Sequence, residues 1–400
     1  MNESARRLGA NRSAIRELFE YATRRKQEAG EDAVLDFTIG NPSVPPPSVV
    51  TETLETLLRD SDPTALHGYT TAAGDPTVRA AIAAYTRKTT GVEADPSLIY
   101  LTVGAAAALT ACFGALLSPG GGDEAVILTP CFPEYRVFLE HAGSRVVEVP
   151  ARETSFAPDM EALDRAITPH TRLVVINSPT NPTGAILSAE ELTALAALLR
   201  EKSAAYGHAI YLVSDEPYRE LVYDGQTVPA PLAYYENALV CYSFSKSLSL
   251  PGERIGYVLV HPRAADARAV YEALMGAARG MGYVCAPALF QRMIPACLGK
   301  TADLSVYDGN RRLLYDELTS YGFEAVCPQG AFYLFLKSPE SDANAFLEKA
   351  KVHGILFVPS DSFGCPGYVR IAYCVSRRTV ELALPGFKAL AEEYGLTPEK

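Results

Sequence analysis

The sequence predicts an α/β protein: a large domain built on a mostly parallel sheet covered by helices on both faces, plus a smaller α+β domain. Three observations predict it. Between residues 97 and 257 short apolar runs alternate with helical segments, the pattern of parallel strands buried on both sides. Past about Pro287 the rhythm changes to strands joined by tight turns with helices laid over them. The 400 residues, 48% hydrophobic and 21% charged, suffice for two domains with cores of their own.

Taken in order, Ile15, Leu18, Phe19 and Ala22 fall at helical spacing in 13–27, with Ser13 as a candidate N-cap. A short strand at 34–39 is stopped by Gly40-Asn41-Pro42, and Pro45-Pro46-Pro47 reads as a linker. Residues 1–47 are therefore expected to form an N-terminal arm and part of the small domain. Helices follow through Thr53, Leu54, Leu57 and Leu58, and from Pro76 to Arg87 with proline near its start. Strands are predicted at 99–103, 125–128, 145–149, 173–176, 210–213, 239–242 and 257–260, with helices such as 190–201 between them, so that 48–287 make the large domain. Residues 288–400 make the small one: a helix at 308–321, strands at 323–326 and 331–336, a helix at 343–352, strands at 355–358 and 368–375, and a closing helix at 380–394.

Bulk properties narrow the function. The net charge of −11 comes from 47 acidic against 36 basic residues spread along the chain. Without a basic cluster to track a nucleic acid or an anionic membrane, a small-molecule partner is expected. The stretch 98–122 has no charged residue, but its Gly104, Gly114, Pro119, threonines and many alanines fit a strand, a turn and a buried helix better than a membrane span. The first seven residues mix charges and lead into no apolar run, so no secretory signal is expected. The eight cysteines contain no Cys-x-x-Cys pair and read as reduced, buried residues of a cytoplasmic protein.

In a parallel α/β sheet, ligands collect at the carboxyl ends of the strands. After the run 238–242 comes Ser243-Phe244-Ser245-Lys246, with Arg254 eight residues beyond the lysine. A lysine at the end of a buried strand is partly desolvated, which lowers its pKa and leaves an amine able to form a Schiff base. Serines with an arginine at this spacing can hold a phosphate, the arginine through a bidentate fork. Gly104-Ala105-Ala106 reads as a tight turn or as free amides at a helix N-terminus. Phe132 reads as core or as a stacking face, and Asn181, in Asn-Pro-Thr-Gly, as turn chemistry. Asp215, closing the run 211–213, needs a partner to offset desolvation.

Asn181-Pro182-Thr183-Gly184, Asp215-Glu216-Pro217-Tyr218, and Ser243-Phe244-Ser245-Lys246 with Arg254 follow one another in an order and spacing that resemble the class I/II aminotransferases. These are fold-type I pyridoxal-phosphate enzymes of the aspartate aminotransferase superfamily. The resemblance runs from Ile39-Gly40-Asn41-Pro42 to Tyr368-Val369-Arg370-Ile371. It implies pyridoxal 5'-phosphate as cofactor, joined to Lys246 as an internal aldimine, with Lys246 then the base that moves the proton. It further implies Asp215 on the pyridine nitrogen, Tyr218 and Asn181 on the ring hydroxyl oxygen, and Phe132 stacked on the ring. The phosphate falls to Ser243, Ser245, Arg254 and the amides of Gly104, Ala105 and Ala106. Arg370 is implied as the clamp on the substrate α-carboxylate, with Gly40 and Asn181 beside the substrate. Tyr69 is implied to reach the neighbouring subunit's phosphate, hence a homodimer with shared sites. No metal is implied. The activity implied is transfer of an amino group from an L-amino acid to a 2-oxo acid with ping-pong kinetics, the alternative being a carbon–sulfur β-lyase.

Two departures bear on substrate. Ala106 stands where relatives often carry a hydroxyl residue or a lysine that reads a second carboxylate, and 279–287 lacks the usual polar residues before its proline, leaving Arg279 as the one cation there that could cross to a dicarboxylate. A nicotinamide-dependent dehydrogenase is disfavoured because no Gly-x-Gly-x-x-Gly follows the first strands. A cofactor-binding regulator would need an added basic DNA-binding domain, for which these residues leave no room.

Overall fold

The computed structural model describes residues 1–10 and 14–397. Ser13 and the side chain of Ile15 lie outside the described residues, but the helix expected there is present as Ala14–Ala29. Twelve strands are labelled in chain order: β1 (Leu35–Asp36), β2 (Ile99–Thr102), β3 (Glu124–Thr129), β4 (Arg145–Pro150), β5 (Thr171–Asn177), β6 (Tyr211–Asp215), β7 (Ala238–Ser243), β8 (Gly256–Val260), β9 (Tyr333–Lys337), β10 (Ile355–Leu356), β11 (Val358–Pro359) and β12 (Tyr368–Ala372).

Seven of them form one sheet in the order β2-β8-β7-β6-β5-β3-β4. Every pair is parallel except those made by β8, which runs against both β2 and β7. The apolar runs are continuous because both faces are covered. In β7, Leu239 and Cys241 enter one core with Leu109, Cys112 and Leu274, while Val240 and Tyr242 enter the other with Leu192, Leu195 and Ile294. Helices Ala105–Leu116 and Ala267–Gly280 therefore lie on one face, and Ala189–Tyr206 and Ala288–Cys297 on the other. The uncharged stretch 98–122 resolves into β2 and the helix Ala105–Leu116, and among the described residues no helix is long and apolar enough to cross a membrane.

A third core joins the two ends of the chain. Leu18 and Phe37 pack with Phe332, Phe346, Phe357 and Phe387, β1 pairs in parallel with β10, and β11-β12-β9 form a small antiparallel sheet. Two expected strands are altered. The run 323–326 makes only the single bridge Ala325↔Leu336. The run 355–358 is divided at Phe357, one half pairing with β1 and the other with β12, because its neighbours lie in different sheets. Sequence periodicity reports burial, not which strand lies alongside.

Buried polar groups fasten this end to the large sheet. Arg311, 2% exposed at its side chain, lies 2.7 Å from both Asp308 and Asp224. It donates to Pro328 O at 2.9 Å and lies 4.7 Å over the Tyr223 ring. Arg136 pairs with Glu148 and donates to Ser362 O at 2.7 Å, while Cys131 N donates to Phe363 O. Asp224 and Asp308 are partly exposed and also pair with Arg312, so removing Arg311 costs its buried hydrogen bonds and packing rather than stranding two charges. Arg311→Ala is expected to lower unfolding free energy by about 1–3 kcal/mol, read as a shifted denaturant midpoint. Arg311→Lys should recover only part of it, because an ammonium cannot serve two carboxylates and a carbonyl in one plane.

Candidate active site

The carboxyl ends of β5, β6 and β7, the turn before Ala105–Leu116 and the 38–40 segment enclose a cavity of about 330 Å³. It brings together Gly40, Ala105, Ala106, Phe132, Asn181, Asp215, Tyr218, Ser243, Ser245, Lys246, Arg254 and Arg370, residues up to 330 positions apart in the chain. A volume in this range suits a small ligand.

Lys246 sits in the single turn Phe244–Ser247 that follows β7, with Ser243 as N-cap. The part of its side chain that remains accessible lines the cavity, and Nζ donates to Gly40 O at 2.7 Å. Burial is the first cause that lowers its pKa, to about 8, and the nearby Arg254 and Arg370 add to the fall while Cys374 opposes it. Asp215, at the end of β6, is 5% exposed. Burial pushes its carboxyl up to about 7, against a 2.6 Å hydrogen bond donated to Oδ2 by Tyr135. Its Oδ1 is buried with no hydrogen-bond partner. A buried carboxylate oxygen left this way is costly, and a protonated ring nitrogen would relieve it.

At another end of the cavity Gly104, at φ 86°, caps the helix Ala105–Leu116, and no side chain takes the first amides. A Cβ on Gly104 would stand 2.5 Å from the Arg254 guanidinium, so only glycine lets the arginine approach that helix end. Arg254 itself adopts φ 51°, a strained conformation for a non-glycine residue. It is held by bonds from Nη1 to Pro251 O and to Ser245 Oγ, which lies 2.7 Å from Ser243 Oγ. Two hydroxyls, free amides and a guanidinium make a donor set suited to a phosphate.

Arg370, 2% exposed, comes from β12. It donates to Asn181 Oδ1 at 3.1 Å and to Thr38 O at 2.5 Å, while its Nε has no partner. The guanidinium is flanked by the rings of Tyr333 and Phe363, at 4.6 and 5.0 Å. A charge-bearing oxygen pair from a ligand is the natural complement of such a fork.

Of the residues expected around one chain's site, Gly104 stands just behind the lining, and the two residues expected to act across a dimer lie outside the cavity. Tyr69 is 88% exposed, and Arg279 is exposed in the last turn of Ala267–Gly280. Three contributors escaped the sequence reading. Tyr135 donates to Asp215, Phe363 covers one side of Arg370, and Tyr333 meets the Tyr218 hydroxyl at 3.0 Å. Each reads in sequence as an ordinary core aromatic, and only the fold turns it toward a polar group.

The donors, the unpartnered Asp215 oxygen and the amine fit pyridoxal phosphate. Because Lys246 loses its proton near pH 8, its amine should react with an added aldehyde at a rate that rises through pH 8 and then levels, whereas exposed lysines keep gaining toward about pH 10.4. Peptide mapping after reductive trapping checks this. Arg254→Leu removes a neighbouring positive charge, so the midpoint should move upward.

Comparison with known proteins agrees with this geometry. Residues 32–386 match the family described as aminotransferase class I and II. An aspartate/prephenate aminotransferase of Thermus thermophilus is 34% identical over 330 residues, covering 80% of this chain and 82% of that one. An aspartate aminotransferase of Pyrococcus horikoshii is 32% identical over 94% of this chain and 96% of its own length. A solved amino transferase from Eubacterium rectale superposes with a TM-score of 0.96 at 51% identity, covering 98% of this chain and 99% of its own. A solved aspartate aminotransferase from Thermus thermophilus with maleate gives 0.84 at 30% identity over 96% of this chain and 98% of its own. The chain belongs to the class I and II aminotransferases, and it is a transaminase.

Proposed function

We propose that the protein transfers an amino group from an L-amino acid to a 2-oxo acid using pyridoxal 5'-phosphate, in two half-reactions with the first product leaving before the second substrate enters. The observation that carries this reading is the convergence of Lys246 Nζ and the unpartnered Asp215 Oδ1 on one cavity with Arg254 and Arg370. When bound, pyridoxal phosphate supplies an aldehyde that condenses with amines and a ring that accepts an electron pair.

Lys246 would hold the cofactor covalently through Nζ and, once free of it, would carry the proton from substrate Cα. Asp215 would keep a proton on the ring nitrogen. Tyr218 and the Asn181 amide would donate to the ring oxygen, Phe132 would stack on the ring, and Ser243, Ser245, Arg254 and the amides of Gly104, Ala105 and Ala106 would hold the phosphate. Arg370 would exchange its bond to Thr38 O for the substrate α-carboxylate, while Gly40 leaves room for the 38–40 segment. We infer the cofactor-binding domain as the expected 48–287 extended through the helix Ala288–Cys297, which packs on the large sheet, and the rest of the expected 288–400 with the first 47 residues as the smaller one. The exposure of Tyr69 outside its own chain's cavity supports a homodimer in which it serves the neighbouring site. Eight free thiols support a cytoplasmic setting.

Purified protein should take up pyridoxal phosphate and absorb in the near-violet, and Lys246→Ala should abolish both that band and amino transfer. A wild-type chain that binds no pyridoxal phosphate would overturn the reading. A donor and acceptor panel then separates the chemistries: transfer that depends on a 2-oxo acid supports the aminotransferase, whereas ammonia release from a β-thio amino acid without an acceptor identifies the β-lyase.

A further inference from the structure

Tyr333 belongs to no part of the machinery assigned above, yet it touches three of its members. It begins β9 and is almost fully buried. Its Oη lies 3.0 Å from the Tyr218 Oη, and its ring lies 4.6 Å beneath the Arg370 guanidinium. A Cβ added to Gly40 would fall 2.0 Å from the same Oη. The phenol thus fills the space that a side chain at position 40 would need, in front of the carbonyl that accepts from Lys246.

We propose that Tyr333 is a positioning residue that donates its phenolic hydrogen to Tyr218, so that Tyr218 offers its own proton into the cavity, while the Tyr333 ring holds the face of Arg370. The inference rests on the cofactor reading given above. Two buried phenols in contact can share only one of their two protons along the line between them. If Tyr218 points its hydrogen at a ligand oxygen, its own oxygen is left as an acceptor, and Tyr333 supplies the hydrogen. Hydrogen bonds in such a chain polarise one another. Both phenols remain protonated at neutral pH, since burial raises each above the ordinary tyrosine range. The other titratable groups facing the pair are Asp215 at the end of β6, Tyr135 bonded to it, Arg370 on β12 and Cys374 just beyond it, with Lys246 one contact further through Gly40 O.

The test uses the holoenzyme and reads the pH midpoint of the bound cofactor's visible band, together with kcat and KM. Tyr333→Phe keeps the ring but removes the donor. It should raise the midpoint by about half to one pH unit, as expected for one net hydrogen bond, and lower kcat several-fold with little change in KM for the amino donor. Tyr333→Leu also removes the ring and should in addition raise that KM about thirtyfold, the scale of a desolvated cation–π contact. In a Tyr218→Phe background, Tyr333→Phe should move the midpoint no further. Should Tyr333→Phe fail to fold, Gly40→Ala drives a methyl against the intact phenol and must raise the same midpoint. An unmoved or lowered midpoint in folded Tyr333→Phe, or an equal shift with Tyr218 absent, overturns the proposal while leaving the cofactor reading intact; absence of a visible band in the wild type overturns that reading instead.

Discussion

The site depends on keeping an amine, a carboxyl and a guanidinium, those of Lys246, Asp215 and Arg370, largely out of water at the carboxyl edge of an apolar sheet. Lys246, Asp215, Arg254 and Arg370 share one cavity, yet no salt bridge joins Asp215 to any of the three cations among the described residues. Desolvation therefore dominates at Lys246 and Asp215, lowering the lysine to about 8 and raising the aspartate to about 7 although Tyr135 donates to it. Groups held in that condition are poised to gain from a ligand with complementary charges, here one with a basic ring nitrogen, a phosphate and a reactive carbonyl. A folded chain that satisfied those charges internally would be more comfortable and would have nothing left to offer.

The surrounding structure holds that arrangement in place. β5, β6 and β7 are adjacent parallel strands, so the sheet places Asp215 and fixes where the turns carrying Asn181 and Lys246 begin, and those turns set the rest. The strained φ of Arg254 and the bare Cα of Gly104 are matched to each other, since the guanidinium occupies the volume a side chain would take. Arg370 arrives from a different sheet, and its position relies on the seam where Arg136 reaches Ser362 O and Cys131 N reaches Phe363 O. Phe132 follows Cys131 directly, so the same seam fixes both a cavity wall and one of the rings that flank Arg370.

The 38–40 segment ties these parts together. Its carbonyls accept from Arg370 at Thr38 and from Lys246 at Gly40, so both cations are occupied by backbone oxygens. Carbonyls satisfy part of the hydrogen-bonding demand without neutralising either charge. They can be exchanged for a carboxylate at modest cost.

The sequence by itself determined the architecture and most of the chemistry. Runs buried on both faces announce a parallel sheet, and a lysine, an aspartate and an asparagine placed just past three of those runs must come to one edge, because parallel strands all end on the same side. That logic reached ten of the residues now found around the cavity, and the family resemblance added Gly40 and Arg370. Only the tertiary structure decided the second layer. Tyr135, Tyr333 and Phe363 look in the sequence like any buried aromatic, and their hydroxyls or faces acquire meaning through contacts spanning 80, 115 and 7 positions. Strand partnership was equally hidden: the division of 355–358 between two sheets follows from which neighbours lie alongside, and hydrophobic periodicity carries no record of neighbours. Burial is written locally in a chain, whereas the direction of a buried polar atom is settled only when distant elements close around it.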